Sequence, residues 1–238
     1  LDSMLEVFDA KGKPIERAVL RPVWETITTL RDHDSASRGI RINTWNALKV
    51  GDYVLLGSEL IRVREMPRGP DDDMVFDSFG GQRINYLDTT PEAHAIDSAV
   101  YKVQLHPAGA QFSPNGLPLT RLQYSNDDGG PGYGKDSLLH FQAPSDGQYQ
   151  LRLRDVRGNL SHPQAYRLTA RHAEEDFRLS FFPRNPNVPP GGAIPITATA
   201  FRMDGFDGPI SVRVEGLPAG VTATPAQIAP GQTSTIVL

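Results

Sequence analysis

Apolar and polar positions alternate along much of this chain. Tyr149-Gln150-Leu151-Arg152-Leu153-Arg154, Ala99-Val100-Tyr101-Lys102-Val103-Gln104-Leu105-His106 and Ile210-Ser211-Val212-Arg213-Val214-Glu215 each place every second side chain on one face. That is the period of a half-buried strand. Turn clusters separate the runs: Asp9-Ala10-Lys11-Gly12, Met66-Pro67-Arg68-Gly69-Pro70 and Ser145-Asp146-Gly147. Strands are also expected at Asp52–Leu56 and Leu60–Arg64, with Gly57-Ser58 as their hairpin turn, and near Met74–Phe76, Gln82–Tyr86, Ser137–Phe141 and Ile194–Phe201. The best helical window, Arg41 to Val50, is short, contains Asn and is stopped by Gly51, which leaves room for at most one helical turn.

Composition strengthens the strand reading. The 238 residues include 22 Gly and 20 Pro, about 18% together against an average of roughly 12%. That excess means many turns and few long helices. With 24 Lys and Arg against 28 Asp and Glu, the net charge is −4, and no basic stripe offers a footprint for nucleic acid. No apolar run approaches the ~20 residues that would span a bilayer as a helix. The absence of cysteine removes disulfides, thiolate zinc sites and cysteine nucleophiles. The chain opens at Leu1 and closes at Leu238 inside strand-like runs, so it is expected to be a piece of a longer polypeptide.

The character of the chain changes three times. Residues 1–30 hold strand signals around a turn at Gly12. Residues 31–120 are rich in Asp and Arg, and 121–171 form another strand-rich block. After the charged stretch His172–Asp176, the region from Phe177 carries Pro183, Pro186, Pro189 and Pro190 and then short strands separated by turns, a pattern that suggests a β-sandwich.

Two separated segments resemble parts of one module. The first is Leu1-Asp2-Ser3-Met4-Leu5 through Asp9-Ala10-Lys11-Gly12. The second contains Asn126-Asp127-Asp128-Gly129, Asp136-Ser137-Leu138-Leu139-His140-Phe141, Ala143-Pro144-Ser145-Asp146-Gly147-Gln148-Tyr149 and Tyr166-Arg167-Leu168. Joined, they resemble the bacterial pre-peptidase C-terminal (PPC) domain. The resemblance implies a jelly-roll-like antiparallel β-sandwich of the kind appended to exported bacterial proteins. In that family the two segments are close in sequence, so residues 31–120 read as a small β-rich subdomain inserted between them. Long insertions are tolerated because closure entropy grows only logarithmically with loop length. The region 177–238, with Phe206-Asp207-Gly208-Pro209-Ile210 and Gly216-Leu217-Pro218-Ala219-Gly220-Val221, resembles a bacterial Ig-like domain and is expected to be incomplete. The expected fold is therefore all-β: a discontinuous PPC-like sandwich from 1–30 and 121–172, the insertion 31–120, and the Ig-like sandwich 177–238.

Candidate chemistry is sparse. Asn126, Asp127, Asp128 and Asp136 form the densest oxygen-ligand group in a Gly-rich turn, the donor type that Ca²⁺ prefers. The competing reading is that Asn and Asp fold the turn by bonding their own backbone, and the spacing is not that of an EF-hand. Asp32-His33-Asp34 and Asp71-Asp72-Asp73 are the next acidic runs; the second reads as solvated loop charge, and the first has a cation site with Ser35 or backbone carbonyls as its alternative. Gly129 to Lys135 has phosphate-loop spacing, but Asp136 stands where Ser or Thr would ligate Mg²⁺. His33, His94, His106, His140, His162 and His172 lack ligand spacing and read as surface or strand-face residues. Asn159-Leu160-Ser161 is a glycosylation sequon. Trp24, Trp45, Tyr124 and Tyr133 read as core before they read as a binding platform.

No nucleophile elbow, zinc-protease or kinase motif is present. The expectation is a non-catalytic accessory region of a larger exported bacterial protein, secreted or on the cell surface, serving spacing, adhesion or binding. Its partners would be other domains of the same polypeptide and an extracellular polysaccharide or protein. The alternatives are a Ca²⁺-assisted binding module for carbohydrate or protein, and an enzyme with its site in 31–120, where Asp32, Asp34, Glu59 and Asp88 show no pairing in sequence.

Overall fold

A computed structural model describes residues 2–157 and 165–238. Among these the chain is all-β: strands, turns and bends without a helix. Among the described residues no helix is long and apolar enough to cross a membrane. The chain divides into two compact units, Leu1–Leu168 and Thr169–Leu238.

The first unit contains β1 (Ser3–Asp9), β2 (Glu16–Ile27), β3 (Gly39–Ile40), β4 (Tyr53–Leu56), β5 (Glu59–Glu65), β6 (Met74–Phe76), β7 (Ser78–Phe79), β8 (Gln82–Arg83), β9 (Ala99–Pro107), β10 (Thr120–Gln123), β11 (Ser125–Asn126) and β12 (Tyr149–Asp155). Its larger sheet has the order β10-β2-β9-β4-β5-β6-β3. The chain beyond β3 then returns to β2. Ile42 bridges Thr28, Thr29 N–H donates to Arg41 O at 3.0 Å and Asn43 N–H donates to Ile27 O at 3.0 Å. Six strands thus close on themselves into a small barrel, with β10 as a further strand along the first part of β2.

Strict alternation fills both faces. In β4, Val54 and Leu56 point inward while Tyr53 and Leu55 point outward. The interior gathers Ile40, Ile42, Ile61, Val63, Met74, Phe76 and Val100, with Trp24 and Trp45 packed against them. The outer face carries Leu20, Leu60 and Val103, covered by Tyr86, Leu87 and Leu122. Gly57 turns β4 into β5 with φ of 57°, a conformation that costs any residue with a Cβ.

The smaller sheet is β11-β1-β12. β1 pairs with β12 along its whole length, from Ser3↔Asp155 to Asp9↔Tyr149, although the two strands are far apart in the chain. Glu6 binds Arg152 and Arg154 across this ladder at 2.8 and 2.9 Å. Strand partnership draws its line elsewhere than at residue 30. β2 lies within 1–30, yet it pairs with β9 and β10 and seals the barrel. Its twelve residues reach across both neighbours, whereas β1 bonds only the connection before it, through a Phe8↔Pro14 bridge and an Ile15-to-Val7 bond. The expected strand Gln82–Tyr86 shortens to Gln82–Arg83, because Tyr86 N–H turns away to Leu60 O.

The second unit contains β13 (Asp176–Phe182), β14 (Ile196–Met203), β15 (Ile210–Val212), β16 (Ala226–Ile228) and β17 (Ser234–Val237). Two antiparallel sheets, β13-β14-β17 and β15-β16, enclose a core of Ala198, Ala200 and Val237 from one and Ile210, Val212 and Ile228 from the other.

Candidate functional site

Among the ion pairs of the first unit, two carboxylates each collect an arginine and a histidine: Asp88, which is part-buried, and Glu59, which is buried. The first node is Asp88. Its backbone and that of Leu87 sit in the left-handed region, at φ of 50° and 54°, where non-glycine residues are uncommon. The turn is pinned to β5 by Tyr86 N–H to Leu60 O and by Leu60 N–H to Thr89 Oγ1, at 2.8 and 2.9 Å. It aims the Asp88 carboxylate at three donors. Arg17 on β2 pairs with Oδ2, His140 N–H donates to Oδ2 at 2.8 Å, and His140 Nδ1 lies 2.9 Å from Oδ1. Burial pushes the Asp88 carboxyl up, but the bonds from His140 and the Arg17 charge outweigh it and hold the group below the usual range. The Arg17 guanidinium also lies 5.1 Å from the Tyr124 ring centroid, and Tyr124, Phe141 and Tyr149 meet edge to face at 4.9 and 5.0 Å.

This node explains a difference from the sequence expectation. Ser137–Phe141 has strand patterning but joins no sheet. Two of its alternate amides are taken by side chains: Leu138 N–H donates to Asn126 Oδ1 at 3.2 Å and His140 N–H donates to Asp88 Oδ2. Asn126 and Asp88 stand where a neighbouring strand's carbonyls would be.

Two of the predicted calcium ligands, Asn126 and Asp127, hold this turn. Asn126 is buried, and its Nδ2 donates to Asp88 O and Asp128 O at 2.8 and 2.9 Å. Asp127 Oδ1 accepts from Thr90 Oγ1 and from Asp128 N–H. Asp128 has its carboxyl raised by burial and then by the charges of Asp127 and Asp2, with Lys135 opposing. Asp136 enters the turn through its backbone, accepting from Gly129 N–H at 2.8 Å. Among the described residues no group of three or more His, Asp or Glu side chains is placed to hold a metal ion. Asn126 and Asp127 Oδ1 are committed to local amides, carbonyls and a hydroxyl, which is the turn-forming role. We expect the melting temperature to stay the same, within error, in EDTA and in excess Ca²⁺; a calcium-dependent rise would contradict the turn-forming role. Gly129 also has a packing reason in this turn: a Cβ there would lie 2.7 Å from Asp136 O.

The second node is Glu59, at the start of β5. Arg83 Nε and Nη2 bind its two carboxylate oxygens at 2.8 and 2.9 Å. His94 Nε2 lies 2.5 Å from Oε2, and Asn85 Nδ2 donates to Oε1 at 3.1 Å. The Glu59 and Arg83 side chains are fully buried. Burial raises the Glu59 carboxyl, and the bonds from His94 and Arg83 more than reverse this. Arg83 spends its remaining donors on the carbonyls of Asp34, Ser37 and Glu92. The sequence reading missed this node. It placed His33 and His94 at a surface or strand face, but both are buried and form an isolated bridge. The available signal was Glu59 and Arg83 lying within otherwise strand-like runs.

The other acidic runs hold a local turn at Asp34 and longer-range contacts at Asp32 and Asp73. Asp34 Oδ1 accepts from Ala36 and Ser37 N–H, Asp32 from Ile96 N–H, and Asp73 binds Arg31 and Arg41. Trp24 and Trp45 pack on the barrel core. The sequon at 159–161 and His162 lie outside the described residues. Comparison with protein-family models, curated proteins and solved structures finds no match for this chain.

Proposed function

We propose that this chain is a non-catalytic accessory region of a larger exported bacterial protein, acting as a spacer or binding module. The observation that carries the reading is how the Glu59 and Asp88 carboxylates are used. Glu59 and Asp88 are surrounded by donors from their own chain, and every named contact fixes a loop or an extended segment to the barrel. A general base or nucleophile needs an open side facing substrate. The resemblance of 1–30 and 121–172 to PPC domains and of 177–238 to Ig-like domains supports the same reading, since both recur as appended modules.

Deletion of these residues from the parent polypeptide tests it. Turnover on a small soluble substrate should remain within about twofold, while retention on the parent's insoluble or surface-bound partner falls. Loss of turnover on the soluble substrate would overturn the accessory reading.

A further inference from the structure

We propose that His33 is an acid-sensitive latch on the seam that closes the barrel. The seam depends on Arg41, whose carbonyl accepts from Thr29 N–H. The amide of the same residue donates to His33 Nε2 at 3.2 Å, in a buried setting. A ring nitrogen that accepts a hydrogen bond carries no proton, so the neutral imidazole holds its hydrogen on Nδ1. Protonation adds a hydrogen to Nε2, which then meets the Arg41 N–H donor to donor. The side chain is 98% buried, so water does not relieve the clash, and an unmatched buried donor is costly.

The surroundings give the new charge no open partner. From its own segment come Arg31, Asp32 and Asp34; the two carboxylates hold the amides of Ile96 and of Ala36 and Ser37. Asp73, just before β6, already binds Arg31 and Arg41. Arg83 on β8 adds a like charge, and Glu59 on β5 is taken by Arg83 and His94. His94 itself faces His33 through two backbone bonds of 2.7 Å. Burial first, and then the Arg31 charge, lower the affinity of His33 for a proton, while the Asp73 charge and a hydrogen bond to the Thr29 backbone oppose them without reversing the direction. A histidine lowered in the folded state contributes stability that is complete above its ordinary value of 6.5. It is lost as pH falls toward the folded value, because the open form binds the proton more tightly. Acid therefore loosens Thr29–Arg41 together with the loop Arg31–Ser37, while the β4–β5 hairpin keeps its ladder.

Amide hydrogen exchange on the 238-residue chain, corrected for intrinsic rates, tests this. Between about pH 7.5 and 5, protection at Arg41 and Thr29 should fall by up to tenfold per pH unit, the limit for one proton, while Val54 and Ile61 hold theirs. In His33→Gln the side-chain carbonyl can accept the Arg41 amide and does not titrate, so the fall should vanish. Constant protection in the unaltered chain, or an equal fall in the variant, overturns the latch. If His33→Gln does not fold, the His33 ring titration in the unaltered chain decides. A midpoint below 6.5 shared with the Arg41 amide supports the latch, and one at or above it, or separate from the amide transition, overturns it.

Discussion

Replacing Glu59 with alanine is expected to cost about 3–5 kcal/mol, the loss typical of breaking a buried ion pair from one side. Arg83 is fully buried beside it, and the substitution leaves that guanidinium with carbonyl partners only. The penalty is a large share of the 5–15 kcal/mol by which domains are commonly stable. Urea titration followed by circular dichroism measures it. Replacing both partners, with Glu59→Leu and Arg83→Met together, should recover most of the loss, since the burial penalty of both ions disappears with their attraction. A single-variant loss below about 1 kcal/mol would place these charges outside the barrel's stability altogether.

Asp88→Ala should cost about 2–3 kcal/mol, less than Glu59→Ala, because His140 is partly exposed and its group can find water. Its distinguishing effect is on acid sensitivity. The folded carboxyl lies below its ordinary 3.8, so its contribution is whole above that value and disappears as pH falls through the folded one. Asp88→Asn should remove that component, leaving a shallower loss of stability in acid. Unfolding free energies measured from about pH 6 to pH 2 check the slope; an unchanged slope would mean that Asp88 is not the group taking up the proton. Asp88→Ala should also free Ser137–Phe141, seen as faster exchange of the His140 amide, since that amide's acceptor is Asp88.

Strands were legible where one face repeats at a period of two. Ala99–Pro107 follows from alternation, while Tyr53–Leu56 and Glu59–Glu65 follow from apolar runs on either side of the Gly57-Ser58 turn. The turn at Gly57 and the acidic turn at 126–136 were also readable, because glycine, asparagine and aspartate bend the backbone through local bonds. Pairing was less legible. Ser137–Phe141 has the pattern of a strand, and only the arrival of Asn126 and Asp88 at its amides keeps it out of a sheet.

The sequence by itself determined that this protein is built from strands, where most of them lie, and which side chains face inward, since these depend on neighbours within a few residues. Tertiary structure alone decided that β2 leaves β1 to seal a barrel and that Glu59 meets Arg83 and His94. It also brought His33 under the Arg41 amide. Such meetings depend on contacts across long stretches of chain, and no local periodicity records which buried charge will meet which.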